Sequence, residues 1–158
     1  MKANLVKKKT KNNGIGIFAN KSFKKGEVLI EFKGKTMKRI EIPALILPED
    51  DRYIQIGVDK YLGPSGEFDD FINHSCNPNS GIKLGSKAIL IAIREIKSGE
   101  EITWDYSTTM DEDDWEMDCH CGTSICRKRI RDFKYLPKEV QNKYISLAVV
   151  PQYILDNI

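Results

Sequence analysis

The sequence predicts a mainly β domain of short strands, followed by a small metal-bound tail with a short helix. Short segments rich in β-branched and aromatic residues alternate with glycine-containing turns. Three cysteines fall within eight residues late in the chain, and apolar residues take up helical spacing only after Pro137. A length of 158 residues suits one domain with one hydrophobic core.

Each expected strand lies next to a turn signal. The segments 4–10 and 15–19 flank the turn Asn12-Asn13-Gly14, and a lysine-rich turn at 24–27 leads into the next strand. We expect further strands over residues 28–32, 53–58, 87–96 and 101–106. Beyond Pro137, apolar side chains at 140, 144, 145 and 147–149 predict a helix, and residues 153–158 form a last turn.

Composition and charge exclude several classes of protein. A net charge of +2, a pI near 8.3 and a mean hydropathy of -0.42 do not indicate a nucleic-acid-binding protein. No apolar stretch approaches the ~20 residues that span a bilayer, and the N-terminus runs straight into lysines. We therefore expect an intracellular protein without a membrane anchor. The acidic run 111–118 and the basic run 127–134 are either solvated faces or, for the acidic run, an attractor of basic peptides.

The late cysteines have the spacing of metal ligands. Cys119, Cys121 and Cys126 give C-x-C-x4-C, and a structural zinc site needs four ligands. Cys76 would complete a four-thiolate set if the tail folds back onto it, whereas His120 lies awkwardly between two ligands. Unrelated thiols remain the alternative. In a reducing compartment, zinc is favoured over disulfides.

Four separated segments carry a resemblance. They are GIGIFA at 14–19, FINHSCNPN at 71–79, GEEITWDY at 99–106 and the cysteine cluster at 119–126. In this order and at these separations they resemble the SET-domain protein-lysine methyltransferases that carry a post-SET zinc segment. The N-H-S-C-x-P-N and E-E-I-x-x-D-Y motifs are specific, whereas a G-x-G alone is weak. The resemblance covers residues from about 4 to about 130.

The resemblance implies a SET-domain fold of small β-sheets in which segments 73–79 and 101–106 cross as a pseudoknot. It implies a SET domain over residues 1–110, a post-SET zinc segment over 111–134 and a C-terminal helical extension over 135–158, all in one compact unit. It also implies S-adenosylmethionine as cofactor, a lysine-bearing protein or peptide as substrate, such as a histone or another basic protein, and structural zinc. The implied zinc ligands are Cys76, Cys119, Cys121 and Cys126.

The family pattern also implies roles for individual residues. Tyr106 matches the catalytic tyrosine, whose hydroxyl lies near the transferring methyl group and the amine. Asn73 and His74 match residues that hold the amino-acid end of the cofactor and join the crossing segments. The loop of Gly14, Ile15 and Gly16 would bind the cofactor through backbone groups. Without the family pattern, these would be an ordinary strand-end tyrosine, a buried polar turn and a hairpin turn.

Further residues are expected around the substrate and the cofactor. Tyr53 would wall the lysine channel. Trp104 stands where the family usually has Tyr or Phe, a choice that tunes the number of methyl groups added, so this number stays open; a core aromatic on a strand is an equal alternative for Trp104. Phe133 or Tyr135, just past Cys126, would cover the adenine of the cofactor if the zinc holds this tail over the site, although packing against the domain is an equal alternative. Asp70 replaces a family arginine, so we assign it no cofactor role.

Two other functions compete with methyl transfer. A protein of the same fold with weak catalysis could serve as a peptide-binding module, but the presence of Asn73, His74 and Tyr106 favours an enzyme. A zinc-stabilised nucleic-acid-binding protein would leave the Asn73–Asn79 segment unexplained and suits the small net charge poorly.

Overall fold

In the computed structural model, which describes residues 4–12, 14–43, 52–113 and 115–158, no strand is longer than five residues. The strands are β1 Leu5–Lys9, β2 Ile15–Ala19, β3 Val28–Glu31, β4 Thr36–Met37, β5 Ile54–Gly57, β6 Lys60–Leu62, β7 Asn73–His74, β8 Ser80–Leu84, β9 Ala88–Ala92, β10 Thr103–Trp104, β11 Met117–Asp118 and β12 Arg129–Ile130. Two α-helices follow, α1 Lys138–Ser146 and α2 Gln152–Leu155. Short 3-10 helices span Arg39–Glu41, Phe68–Phe71, Tyr106–Thr109 and Phe133–Tyr135. The mainly β prediction is confirmed.

The strands form five small sheets within the described residues. β1 and β2 make an antiparallel hairpin, β3-β9-β8 and β4-β6-β5 are three-stranded antiparallel sheets, and β11 pairs with β12. The remaining pair, β7 with β10, is parallel. Sheets this small cannot bury a face alone, so each packs on its neighbours around a shared core.

Two predicted strands are shorter than expected. β9 ends at Ala92, because beyond it the chain keeps only isolated contacts such as the bridge between Ile96 and Phe23. β10 covers only Thr103–Trp104, because the Asp105 carboxylate accepts the backbone N–H of Ser107 and starts a 3-10 turn. Asn13 of the first predicted turn lies outside the described residues.

Two apolar clusters hold the domain together. The larger includes Ile17, Leu90 and Ile102, which are almost fully buried between the β1–β2 hairpin and the β3-β9-β8 sheet. The second lies between β9 and the C-terminal helices, where Ile91 meets residues such as Tyr144. The helical extension is therefore packed against the sheet. Neither helix in the described part of the chain has the length and apolar character to cross a membrane.

Candidate functional site

Two strands of two residues each bring the candidate residues together. In the parallel pair of β7 and β10, His74 lies opposite Trp104. The backbone N–H of Ser75 extends the pairing with a hydrogen bond to the carbonyl oxygen of Trp104 (3.0 Å). The pairing therefore sets Asn73 and His74 beside the strand that runs directly into Tyr106, and the two segments expected to meet do so.

Tyr106 begins the buried 3-10 turn and is itself only 7% exposed. Its hydroxyl donates a hydrogen bond to the carbonyl oxygen of Ile72 (2.9 Å). Its ring centroid lies 4.9 Å from that of Trp104 and 5.3 Å from that of His74, separations at which aromatic rings attract each other. The Ile72 carbonyl oxygen thus fixes the hydroxyl of Tyr106, and the rings of Trp104 and His74 fix its aromatic ring.

His74 is a neutral link between Tyr106 and the cysteine cluster. Its Nδ1 accepts a hydrogen bond from the backbone N–H of Tyr106 (3.2 Å), which leaves the ring proton on Nε2, 3.4 Å from the Sγ of Cys76. Burial lowers the pKa of His74 to about 4, and Asp105, 3.6 Å away, offsets this only in part. Both ring nitrogens are therefore engaged within the protein.

Asn73 holds the glycine loop through a residue that sequence reasoning gave no role. Its side-chain amide donates to the carbonyl oxygen of Ile15 (3.0 Å) and to Oε1 of Glu101 (2.8 Å). A Cβ atom on Gly16 would lie 2.4 Å from that Glu101 oxygen and 2.9 Å from the Asn73 amide nitrogen. Gly14 has a φ of +76°, in the left-handed region. Both glycines are needed to bring the loop against Asn73.

An open cleft of about 610 Å³ lies on one side of Tyr106. The lining residues are Asn12, Asn73, His74, Tyr106, Met117, Asp118, Cys119, His120 and Cys121. The Asn12 side chain donates to the carbonyl oxygen of His120 (3.3 Å), which joins the segment before Gly14 to the cysteine segment.

A pocket of about 460 Å³ lies on the other side of Tyr106 and has aromatic walls. Its aromatic residues are Tyr53, Tyr61, Trp104, Tyr106 and Trp115. Glu112 also lines it, accepts a hydrogen bond from the Tyr61 hydroxyl and lies 3.9 Å from the Arg39 guanidinium. Burial and this hydrogen bond raise the pKa of Tyr61. Aromatic walls exclude water, so the pocket suits the aliphatic stem of a side chain that ends in an amine.

The sulfur atoms of the four cysteines lie within 4.8 Å of one another. Four sulfurs about 2.3 Å from a tetrahedral zinc ion would be about 3.8 Å apart, and the Sγ atoms of Cys76 and Cys119 are 3.8 Å apart. Burial raises the pKa of the Cys76 thiol to about 11, so a cation is needed to favour four thiolates here. Donor type, number and spacing fit zinc, and the tail does fold back onto Cys76.

Asp105 is a buried carboxylate that the sequence did not single out. It accepts hydrogen bonds from the Arg127 guanidinium (2.7 Å), the Tyr144 hydroxyl (2.8 Å) and the backbone N–H of Ser107 (3.2 Å). Arg127 also donates its backbone N–H to the Sγ of Cys76 (3.4 Å). The residue before Tyr106 is thus bound to the cysteine segment and to helix α1. The signal was present in the motif E-E-I-T-W-D-Y, but its partners lie far away in sequence.

The acidic and basic runs largely pair with each other. Asp113 pairs with Lys134, and both Glu116 and Asp118 pair with Arg129. Glu112 of the same run points instead into the aromatic pocket, together with Trp115. The sequence signal for this part of the pocket is a tryptophan within a run of acidic residues, from which no role in the pocket is predicted. Asp114 lies outside the described residues.

The structure brings most of the predicted residues together but not Phe133. Tyr53 and Trp104 line the aromatic pocket, and Gly14, Ile15 and Gly16 adjoin Asn73. Phe133 is fully buried in the second apolar cluster. The expectation that it covers a cofactor is wrong, because the ring has no exposed surface to offer. The alternative, packing against the domain, is the observed one.

Comparison with known proteins agrees with this geometry. Residues 14–107 match the family model described as SET domain. The chain is 37% identical over 136 residues to the variant-silencing SET domain-containing protein of Plasmodium falciparum, covering 75% of this chain and 5% of that protein. It is 35% identical over 133 residues to the histone-lysine N-methyltransferase set-2 of Caenorhabditis elegans, and this match covers 73% of this chain and 8% of that protein.

A solved structure shares the fold. It is the crystal structure of KRYPTONITE in complex with mCHH DNA, an H3(1-15) peptide and SAH, with a TM-score of 0.66 and 22% identity, over 83% of this chain and 30% of that one. The chain spans less than a tenth of the length of the two curated relatives described above. The match therefore concerns one domain of each.

Proposed function

Since this chain belongs to the SET-domain family, we propose that it transfers methyl groups from S-adenosylmethionine to the side-chain amine of a lysine in a protein substrate. The observation that carries the proposal is the position of Tyr106 between two cavities. Among the described residues, Tyr106 alone lines both the cleft and the aromatic pocket. A cofactor on one side and a lysine on the other would meet at its hydroxyl.

The aromatic pocket prepares the lysine amine. A lysine side chain has a pKa near 10.4 in water and must lose a proton before it can act as a nucleophile. Burial among aromatic rings disfavours the charged form and lowers that pKa. Tyr53 and Trp104 exclude water along the aliphatic stem, and Tyr106 meets its end. Alignment in such a pocket supplies the larger share of the catalysis, up to ~7–11 kcal/mol in well-oriented systems.

The Tyr106 hydroxyl orients the amine without losing its own proton. That proton is donated to the Ile72 carbonyl oxygen, so the phenol acts through the position of its oxygen atom. The buried neighbours Trp104 and His74 hold the ring against rotation. We propose that Tyr106 is a catalytic residue that acts by hydrogen bonding and polarisation.

The open cleft is the proposed cofactor site. Its polar lining residues, which include Asn12, Asn73 and Asp118, fit a polar, amino-acid-bearing ligand. The glycine loop is held beside the cleft by the hydrogen bond from Asn73 to the Ile15 carbonyl oxygen. S-adenosylmethionine, when bound, supplies a methyl group activated on a sulfonium sulfur. His74 contributes by holding the Tyr106 backbone, because both of its ring nitrogens already have partners.

Zinc is proposed as a structural ion that Cys76, Cys119, Cys121 and Cys126 would hold. It would join residues 117–121, which form one wall of the cleft, to the segment that carries Asn73 and His74. A closed four-thiolate site leaves no position for a substrate, so the ion would take no part in the reaction.

A histone is the first substrate to test. The relatives include proteins named histone-lysine N-methyltransferases, and the structural neighbour was crystallised with an H3(1-15) peptide. The chain should therefore be incubated with radiolabelled S-adenosylmethionine and either purified histones or fractionated basic proteins. Labelled lysine is the expected product.

Two matched substitutions make this test specific. Tyr106→Phe removes the proposed catalytic hydroxyl and should abolish labelling. Tyr135→Phe keeps the ring, removes an exposed hydroxyl that bonds to Asp113 and should leave labelling intact. Cofactor binding without labelling of any fraction would favour a peptide-binding module. Full activity in Tyr106→Phe would remove the tyrosine from the mechanism.

A further inference from the structure

Residues 135–158, beyond the matched span 14–107, form a helical extension that docks on the domain. Val149 and Ile154 are each 1% exposed in the second apolar cluster, and these contacts hold the extension in place. Two tyrosines of the extension, Tyr144 on α1 and Tyr153 on α2, extend past this cluster to polar atoms beside the Tyr106 turn. Apolar contacts hold the extension on the domain, so the hydroxyl groups of the two tyrosines are not needed for this docking.

Tyr144 contacts the start of the turn. It is 1% exposed, and its hydroxyl donates to Oδ2 of Asp105 (2.8 Å), the residue immediately before Tyr106. The other carboxylate oxygen of Asp105 accepts from Arg127 and from the Ser107 N–H that opens the turn. Burial raises the pKa of Tyr144, which keeps the phenol protonated as a donor. Asp105 is thereby held on both of its oxygens.

Tyr153 contacts the end of the turn. Its hydroxyl donates to the carbonyl oxygen of Thr109, the last residue of the turn, and lies 3.1 Å from the carbonyl oxygen of Gln55 on β5. Thr109 and Gln55 both line the aromatic pocket. The same β5 residue accepts the backbone N–H of Asp111 on its side chain (2.8 Å). One hydroxyl therefore joins the turn that begins with Tyr106 to strand β5, and both of the residues it joins line the pocket.

We propose that Tyr144 and Tyr153 are positioning residues, through which the helical extension holds the Tyr106 turn at both ends and fixes two residues that line the lysine pocket. This inference rests on the proposed function for its kinetic consequences. Its structural basis is independent of it, because the two hydroxyls hold the turn whatever reaction occurs there.

Phenylalanine at each position removes only the hydroxyl and provides the test. Tyr144→Phe should lower kcat about tenfold, the equivalent of one buried hydrogen bond to a charged group, with the KM for the peptide little changed. Tyr153→Phe should raise the peptide KM about tenfold, because two residues that line the pocket are no longer joined. Affinity for S-adenosylhomocysteine should stay constant in both. The matched control is Ile154→Val, which removes one methylene from α2 in the second apolar cluster and leaves both tyrosine hydroxyls in place.

A second readout does not depend on activity. The chain has two tryptophans, and their rings lie 4.9 Å and 6.3 Å from that of Tyr106. Quenching of their fluorescence by acrylamide therefore reports on order around the turn. Quenching should rise in Tyr144→Phe and Tyr153→Phe but not in Ile154→Val at equal fraction folded.

The outcomes separate the two proposals. A wild-type chain that methylates nothing would reject the proposed function, while the quenching experiment would still decide whether the tyrosines hold the turn. Variants that lose thermal stability to the same degree as Ile154→Val, with wild-type kinetic constants and wild-type quenching, would overturn the positioning role.

Discussion

The Tyr106 hydroxyl donates a hydrogen bond to the carbonyl oxygen of Ile72, 2.9 Å away. The next residue, Asn73, donates its side-chain amide to the carbonyl oxygen of Ile15. Cys76, slightly further along the chain, lies in the cysteine cluster. A segment of five residues thus contacts the proposed catalytic side chain, the proposed cofactor loop and the proposed metal ligands.

Tyr106→Phe should separate catalysis from stability. The variant loses one buried hydrogen bond and leaves the Ile72 carbonyl without this donor, so the free energy of unfolding should fall by about 1–3 kcal/mol. The fold and the affinity for S-adenosylhomocysteine should persist, because the hydroxyl points to Ile72. Urea unfolding and titration calorimetry measure the two quantities, with Tyr135→Phe as control. A large loss of affinity would show instead that the hydroxyl maintains the cleft.

The cysteine cluster should bind one zinc ion per chain. Cys121→Ser removes one of four thiolates, and elemental analysis of the purified variant should find zinc reduced or absent. The neighbouring His120 is exposed and does not belong to the cluster, so His120→Ala should keep its zinc. Folded wild-type protein without any metal would reject the four-thiolate site. Equal loss from both variants would indicate that His120 takes part.

Gly16→Ala should weaken cofactor binding. The added methyl group would lie 2.4 Å from Oε1 of Glu101 and 2.9 Å from the amide nitrogen of Asn73, and so would separate these two partners. The loop at residues 14–16 would then move away from Asn73. We expect the dissociation constant for S-adenosylmethionine to rise about tenfold or more, measured by calorimetry. Gly85→Ala, where nothing lies within 4 Å, is the matched control, and equal affinities in the two variants would contradict the prediction.

Trp104→Phe should change how many methyl groups each lysine receives. Trp104 is 4% exposed and its ring lies 4.9 Å from Tyr106, so a smaller ring leaves space beside the reacting amine. The products should shift towards higher methylation states, as read by mass spectrometry of the labelled peptide. Trp115→Phe, which enlarges the pocket at a greater distance from Tyr106, should have a smaller effect. An unchanged product distribution in Trp104→Phe would assign this residue a packing role only.

Sequence patterns located the longer elements of the fold. The hairpin of β1 and β2 and the strands β3 and β9 follow from short apolar or alternating segments between turns, and α1 follows Pro137. The strands β7 and β10 have two residues each, too few for any periodicity to be visible. Only the resemblance to a known family indicated that these two segments meet.

The contacts that escaped prediction all join residues far apart in the chain. Asp105 looks like a solvent-exposed acid until Arg127 and Tyr144 fold against it. The position of Phe133 just after the cysteines predicts a place over the cofactor, but an aromatic side chain is stabilised most where it is fully enclosed, and β9 with α1 provides that place. Proximity in sequence to a metal ligand carried no information about the direction of this side chain.

Gly81→Ala should destabilise the protein by loosening the helical extension. A Cβ atom on Gly81 of β8 would lie 2.8 Å from both Cβ and Cγ1 of Val149, which is 1% exposed and stiff because it is β-branched. Overpacking of this kind costs about 1–3 kcal/mol. Val149→Ala in the same chain removes both γ-carbons and should recover part of that loss, so the two substitutions should be less than additive. Gly85→Ala, in the turn after β8, should leave the free energy of unfolding nearly unchanged. Urea unfolding of the four chains in this cycle measures the coupling, and strictly additive effects would show that the extension does not rest on β8 in solution.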